Sequence, residues 1–576
     1  MHSRRAMPMP MPRPAMRERL RGWLNDAADP VAGKLAWRPA LVPRGGWARW
    51  ALVLLLVFTF ARGVLWAATT PNFWGPDEDY HAMYAESIAR EGQLPAAGRP
   101  LYSNEYIATL DWTEFNVYGA NERRDFSGDP KATLKRLAAF PDAGRQASEI
   151  GRGVGVVHPP VYYGLTGAVD SLMLDRALPT RLFWMRIVSA LFGVLGVYGA
   201  WLLASVVLRR SAVLPLVAGL IVALHPMLAF FSGLVSNDAP TIAMFTLALA
   251  MLAHLLARPP VPRQGLWLGL PIALALAMKS TSLALLPLAG LALVLQGVTY
   301  GGWGRIGRSA GVAAGVVVVL IGWWYVYARL EYGTFTGEVA SAGEPRTLLA
   351  ALEPLAAAVP VAAASLGDYF TWTRGWLTDV YKTSWFHYLN HEAPRGRWFY
   401  FLPLGLIALC SLGLAGLLWN LRARWRDPGA PLVRQLTVLA VAPLTLILPF
   451  LLRDLSRKAD GLDFLNAAGR FAFPAYPGVV VCALCALLWL FRREAQALVV
   501  GALVALSALF CAVVWKSEYF DRYFGHASFG EQLRRMSFDR PTFITQTSLT
   551  AWIAVTLATL AALCVLLVVH GRREHR

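Results

Sequence analysis

The chain has 576 residues, of which 56% are apolar and only 16% charged, against about 25% charged in a soluble domain. The apolar residues fall in blocks of about 20, the length that crosses a roughly 30 Å hydrocarbon core as a helix. A string of soluble domains, a disordered chain, a collagen-like repeat and a disulfide scaffold are excluded. The formal net charge of +18 comes from Arg clusters between the apolar blocks, which is the pattern of the positive-inside rule rather than of nucleic-acid binding.

In chain order, residues 1–47 form a basic, Pro-containing tail in which 16–24 is amphipathic enough to lie on anionic lipid. Apolar blocks follow at roughly 48–69, 180–207, 211–231, 237–257, 264–280, 281–298, 309–330, 398–420, 433–453, 473–491, 495–515 and 546–569. This predicts an all-α polytopic membrane protein with twelve spans in a body over 48–570. Basic residues follow every even-numbered block: Arg209 and Arg210, Arg258 and Arg263, Arg305 and Arg308, Arg422 to Arg434, Arg492 and Arg493, and the 571–576 end. The rule places those loops and both termini in the cytoplasm. Loops 70–179, 331–397 and 516–545 then face outward. The first is acid-rich, with helical patches at 80–90, 131–140 and 160–174, and reads as an ordered extracytoplasmic cap. The five cysteines lie in apolar blocks and read as buried and structural, including the Cys482/Cys485 pair.

The chemistry-bearing residues gather at the outer ends of the blocks. Trp74-Gly75-Pro76-Asp77-Glu78-Asp79-Tyr80-His81 follows the first block directly. Pro76 suits a first helical turn, where the macrodipole favours the carboxylates of Asp77, Glu78 and Asp79. Simple N-terminal capping explains acids there as well. Their place beside apolar surface and ring residues also suits an ionised base facing a lipid-borne substrate. His158-Pro159-Pro160 opens a later helix, and His158 reads either as a ligand or as a helix-start residue. Ser236-Asn237-Asp238 precedes the fourth block, where Asn237 and Asp238 are good N-caps. Lys279, Arg186 and Arg470 are cations within or at the outer ends of blocks. Such charges are costly and commonly functional, and together they suit a phosphate; snorkelling to headgroups is the alternative.

At these residues the chain resembles the GT-C superfamily of membrane glycosyltransferases, and in particular the bacterial membrane proteins called DUF2142, which are related to protein O-mannosyltransferases and aminoarabinose transferases. The matching pieces are Pro76-Asp77-Glu78 with His81, the stretch 85–95, His158-Pro159-Pro160-Val161-Tyr162-Tyr163, and His225-Pro226 followed by Ser236-Asn237-Asp238. Further on come Lys279-Ser280-Thr281 with Pro287, Trp323-Trp324 followed by Tyr332-Gly333, and Gly469-Arg470 with Pro474. Phe471 stands where the family usually has Tyr.

The resemblance implies a GT-C-like fold in the inner membrane of a bacterium, with the active site on its outer face. It implies a polyprenyl-phosphate-linked sugar as donor and a glycan, lipid or protein acceptor, with no nucleic acid involved. Asp77 is the implied catalytic base, with Glu78 as its neighbouring candidate. Asp79, His81, His158, Arg186, Asn237, Asp238, Lys279 and Arg470 are the expected substrate-binding residues. No cofactor is assigned, and a divalent metal near Asp77, His81 and His158 stays open. A departing phosphate needs positive charge more than protonation, so one carboxylate and a cation cluster fit better than a glycosidase's paired carboxylates. A transporter or flippase of a lipid-linked sugar, and a non-catalytic member of the fold, are the alternatives.

Overall fold

A computed structural model describes residues 41–43, 45–94, 101–112, 145–147, 158–336, 366–385, 398–459, 469–538 and 540–575. The patches at 16–24 and 131–140 lie outside the described residues. The fold is helical and polytopic. Its long elements are α1 (Gly46–Thr69), α5 (Leu178–Val207), α8 (Asp238–Leu255), α10 (Leu285–Tyr300), α11 (Trp303–Val317), α14 (Trp398–Leu421), α15 (Pro431–Ala459), α16 (Tyr476–Leu490), α17 (Arg493–Val513) and α19 (Gln546–His575). Between them lie α2 (Glu78–Glu91), α3 (Asn104–Trp112), α4 (Val161–Ser171), α6 (Val213–Leu224), α7 (Pro226–Ser232), α9 (Gln264–Met278), α12 (Trp323–Glu331), α13 (Leu366–Trp385) and α18 (Phe529–Arg535). The described strands are a three-residue antiparallel pair, β1 (Leu101–Ser103) with β2 (Arg145–Ala147), with Leu101 opposite Ala147.

Ten helical stretches among the described residues are long and apolar enough to cross a membrane, where the sequence predicts twelve. The other two expected spans are altered in identifiable ways. The block at 211–231 is broken into α6 and α7 with a bend of 71°. Pro226 starts α7, and the residue before a proline is forced out of the helical region; His225 is accordingly extended, at φ −66° and ψ 120°. Its Nδ1 accepts from the Leu228 N–H at 3.4 Å and so caps the new helix. The block at 264–280 yields α9, whose 15 residues rise only about 22 Å at 1.5 Å each. α9 lies tightly on α11: a Cβ at Gly269 would come within 2.8 Å of the Ala313 carbonyl oxygen, and one at Gly265 would strike the Ser309 carbonyl. This is the close approach that small residues four apart permit between helices in lipid.

The basic loops meet at one end of the bundle. Arg434 donates to the carbonyls of Trp425 and Asp427 at 2.9 and 2.8 Å and to that of Leu256 at 3.3 Å. Tyr300 donates to the Pro428 carbonyl. Trp47 near the start of α1 stacks on His570 near the end of α19, with centroids 4.1 Å apart. The cap sits at the opposite end. Its keystone is Arg181, fully buried at the start of α5. The guanidinium takes both Asp170 oxygens at 2.7 Å, Glu105 at 2.8 Å and Glu86 at 3.0 Å, so one cation ties α2, α3 and α4 to the bundle.

Candidate active site

The loop between α1 and α2 is wound unusually tightly. Phe73 and Asp77 are the two described non-glycine residues with positive φ, at 64° and 56°. Aspartate enters this left-handed region more readily than most residues. Gly75 lies between them, pressed on Leu234, whose Cδ1 would be 2.5 Å from an added Cβ. The winding separates the three acids. Asp77 is at the N-cap position of α2 but makes no side-chain cap bond, and its side chain is 48% exposed. Glu78 is wholly buried, and Asp79 and His81 are nearly so.

Glu78 and Arg186 hold this loop. Arg186 donates from Nε to Glu78 Oε1 and from Nη2 to Oε2, each at 2.7 Å. It gives its remaining donors to the carbonyls of Ala67, Thr70 and Pro71 at 2.7–3.0 Å. Glu78 Oε1 also accepts from the Val235 N–H at 2.9 Å. All five guanidinium donors are used internally, which leaves Arg186 nothing with which to hold a phosphate.

The other two expected cations do converge on the Asp77 loop. Arg470 Nη2 pairs directly with Asp77 Oδ2. Lys279 Nζ pairs with Asp238 Oδ1 at 2.5 Å. Phe471 lies between the cations, with the Lys279 Nζ 6.0 Å and the Arg470 Cζ 5.6 Å from its ring centre. Lys279 gains its position because α9 stops at Met278 and Lys279 turns to an extended conformation before a 3-10 turn at Ser280–Ala284. Arg470 rides on a 3-10 turn, Gly469–Ala475, seated on α13. The Gly469 N–H donates to Thr383 Oγ1 at 2.7 Å, and a Cβ at Gly469 would strike the Val380 carbonyl and Ser384. α13 itself lies inside the 331–397 loop, where no helix is expected from the sequence.

The charges set the state of the carboxylate. Burial pushes the Asp77 carboxyl upward, but the Arg470 guanidinium, then His81 and Lys279, outweigh it and hold the group down to about 2. Burial lowers His81 to about 4 against the pull of Asp77, so its ring is neutral near pH 7. His81 Nδ1 shares a hydrogen bond of 2.7 Å with the Tyr163 hydroxyl. Tyr163 stacks on Tyr84 at 3.9 Å, and Tyr84 donates to the His158 carbonyl at 3.0 Å. His158 Nδ1 is buried without a hydrogen-bond partner, and burial keeps this ring well below its ordinary range. Asn237 is fully buried and its amide oxygen and nitrogen both lack partners. It makes no cap bond to α8, and Asp238 pairs with Lys279, so neither residue follows the capping expectation. Among the described residues no group of three or more His, Cys, Asp or Glu side chains is placed to hold a metal ion.

Beyond Phe473 the 3-10 turn leads into an apolar cavity of about 180 Å³ between α6, α14, α16 and α17. His225, Trp385 and Tyr476 line it, with the His225 ring 4.8 Å from Trp385 and 4.4 Å from Tyr476. Pro403, Cys410 and Phe510 line it as well.

A family model of predicted membrane proteins, DUF2142, matches residues 60–453. The chain belongs to the DUF2142 family. The matched stretch of this DUF2142 protein contains Asp77, Asp238 and Lys279 and stops short of Arg470. Among solved structures, it is similar to ArnT from Cupriavidus metallidurans bound to undecaprenyl phosphate, at 15% identity over 92% of this chain and 78% of that one, with a TM-score of 0.44. It is also similar to the archaeal oligosaccharyltransferase AglB from Archaeoglobus fulgidus in complex with an inhibitory peptide and a dolichol-phosphate. That match is at 15% identity over 86% of this chain and 60% of that one, with a TM-score of 0.40. A search of curated proteins finds no match.

Proposed function

We propose that this DUF2142 protein is a membrane glycosyltransferase that moves a sugar from a polyprenyl-phosphate carrier to an acceptor at the outer face of the bacterial inner membrane. The observation that carries the reading is the pairing of exposed Asp77 with Arg470, beside buried Lys279, at the end of the bundle away from the basic loops. The acceptor hydroxyl attacks the anomeric carbon and the bond from that carbon to the phosphate oxygen breaks. Asp77 takes the hydroxyl proton. The lipid phosphate departs with its negative charge facing Arg470 and Lys279, where fixed cations in a water-poor site are worth most.

His81, held by Tyr163, and the unpartnered amide of Asn237 and imidazole of His158 supply polar groups for the sugar and acceptor. Asp79 stays buried behind Asp77. Glu78 and Arg186 act by holding the loop. The cavity past Tyr476 suits the prenyl chain, since it is apolar and starts a turn away from Arg470. The sequence and geometry support this reading together: several pieces that carry the resemblance, those with Asp77 and His81, His158, Asn237 and Asp238, Lys279, and Arg470, supply residues of this site.

One feature favours a transporter, the broken helix at His225, because transporters build sites at such breaks. The charged residues, however, collect at the cap end rather than at mid-depth. The deciding experiment compares a deletion strain with its parent by lipid and glycan analysis. A polyprenyl-phosphate sugar that accumulates while a surface sugar disappears is expected, with Asp77→Asn behaving like the deletion. Uphill or exchange transport of such a lipid by the purified protein, with no transfer product, would overturn the proposal.

A further inference from the structure

In the free protein each cation of the site already has a carboxylate. Asp77 faces Arg470 and Asp238 faces Lys279, so the charges of these four residues cancel and an arriving phosphate competes with a carboxylate for either cation. The two pairs differ in access. The Asp238 and Lys279 side chains are 6% and 7% exposed, whereas Asp77 and Arg470 are 48% and 18% exposed. A buried pair is costly to part, because separation strands a charge in low dielectric. An exposed pair exchanges partners cheaply.

We propose that the Asp77–Arg470 contact is a latch opened by the donor: the phosphate displaces Asp77 from Arg470, and only then is the carboxylate free to accept the proton of an acceptor. The inference rests on the glycosyltransferase reading and adds an order to it, donor before acceptor. It also resolves a tension within that reading. A carboxylate neutralised by a guanidinium is a weak base, yet the same residue must take a proton in the transition state. Moving Arg470 onto the phosphate removes the largest charge acting on Asp77. Without donor the base is quenched, so stray hydroxyls, water included, are not activated. Lys279 stays with Asp238 in the buried pair, and Arg470 is the arm that moves.

The test uses the full-length protein in lipid nanodiscs and farnesyl phosphate as the probe. Binding is measured for wild type, Asp77→Asn, Asp77→Gly, Arg470→Ala and the Asp77→Asn/Arg470→Ala pair. Asparagine keeps the shape, and glycine suits the left-handed backbone if asparagine is poorly tolerated. Both single changes at Asp77 remove the competitor, so affinity is expected to rise severalfold, up to about tenfold, as expected for freeing a partly exposed charge pair. Arg470→Ala is expected to weaken binding, and the gain from Asp77→Asn is expected to vanish in its background, as a shared interaction requires. Unchanged or weaker binding in both Asp77 variants, with Arg470→Ala still weakened, overturns the latch and leaves the lipid-phosphate reading standing. No binding by wild type or any variant overturns both.

Discussion

The Arg186 guanidinium and the Glu78 carboxylate meet fork to fork at 2.7 Å, 108 residues apart in the chain and both out of contact with solvent. Beside them Asp77 is half exposed. Neighbouring acids thus have opposite surroundings, one anchoring the loop and the other open to solvent.

Removing either member of the buried pair should damage the fold. Glu78→Gln and Arg186→Met each leave a charge uncompensated in low dielectric, a loss of about 3–5 kcal/mol. Thermal unfolding in detergent should fall clearly for both. An unchanged melting temperature for either variant would show that the pair is dispensable. Loss of activity at Glu78 is therefore no measure of a chemical role unless stability is followed alongside it.

Asp77→Asn should behave in the opposite way. Asparagine also tolerates the left-handed backbone, and the replaced side chain makes no cap bond. Stability should stay close to wild type while turnover falls roughly 10²–10⁴-fold, the usual contribution of a general base. Steady-state transfer assays with matched melting curves check this, and near-normal turnover would remove Asp77 from the chemistry.

The cap should loosen as pH rises through neutrality. Burial pushes the Glu105 carboxyl up to about 7, against Arg181, with Glu86 adding to the rise; Asp170 moves upward for the same first reason. A carboxyl whose folded pKa lies above its unfolded value binds its proton more tightly when folded. The folded cap is therefore favoured at low pH and loses that advantage between the ordinary carboxylate range and about 7. Protection factors for hydrogen exchange in α2 and α4, which take out the intrinsic base catalysis, should be lower at pH 8 than at pH 6, and Glu105→Gln should flatten the difference.

Sidedness is checked by labelling. A single cysteine at Ser528, in the loop before α18, should react with an impermeant reagent in intact cells, and one at Pro428 only after the membrane is opened. Reaction at Pro428 in intact cells would invert the site's placement.

The spans were legible because lipid demands long apolar blocks and the Arg clusters mark one side. Two departures needed geometry. His225-Pro226 is visible in the sequence, but its consequence, a 71° bend, depends on the space around it. α9 reads as a span until its early stop at Lys279 is seen. Within the site, Asp77, Lys279 and Arg470 were identifiable as charges out of place beside apolar blocks. That signal is the same for Arg186, whose partner is set by tertiary folding. The role of Arg181 is hidden for the related reason that two of its three carboxylates, Glu86 and Glu105, come from distant segments, and a cation at a span's end looks like an anchor. α13 escaped because its mix of rings and polar groups lacks the uniform apolarity of a span.

The seat of Arg470 has a mechanical meaning. Gly469 is clasped by Thr383, Val380 and Ser384 of α13, and α13 is in turn pinned to α15 by the Trp376 indole donating to Asp454 at 2.9 Å. The arm that quiets Asp77 is therefore mounted on a bracket built from two other stretches of chain. Even a single methyl at position 469 would shift the arm without touching any charge, and a force applied to α13 would be delivered to a carboxylate in a distant, earlier stretch of the chain.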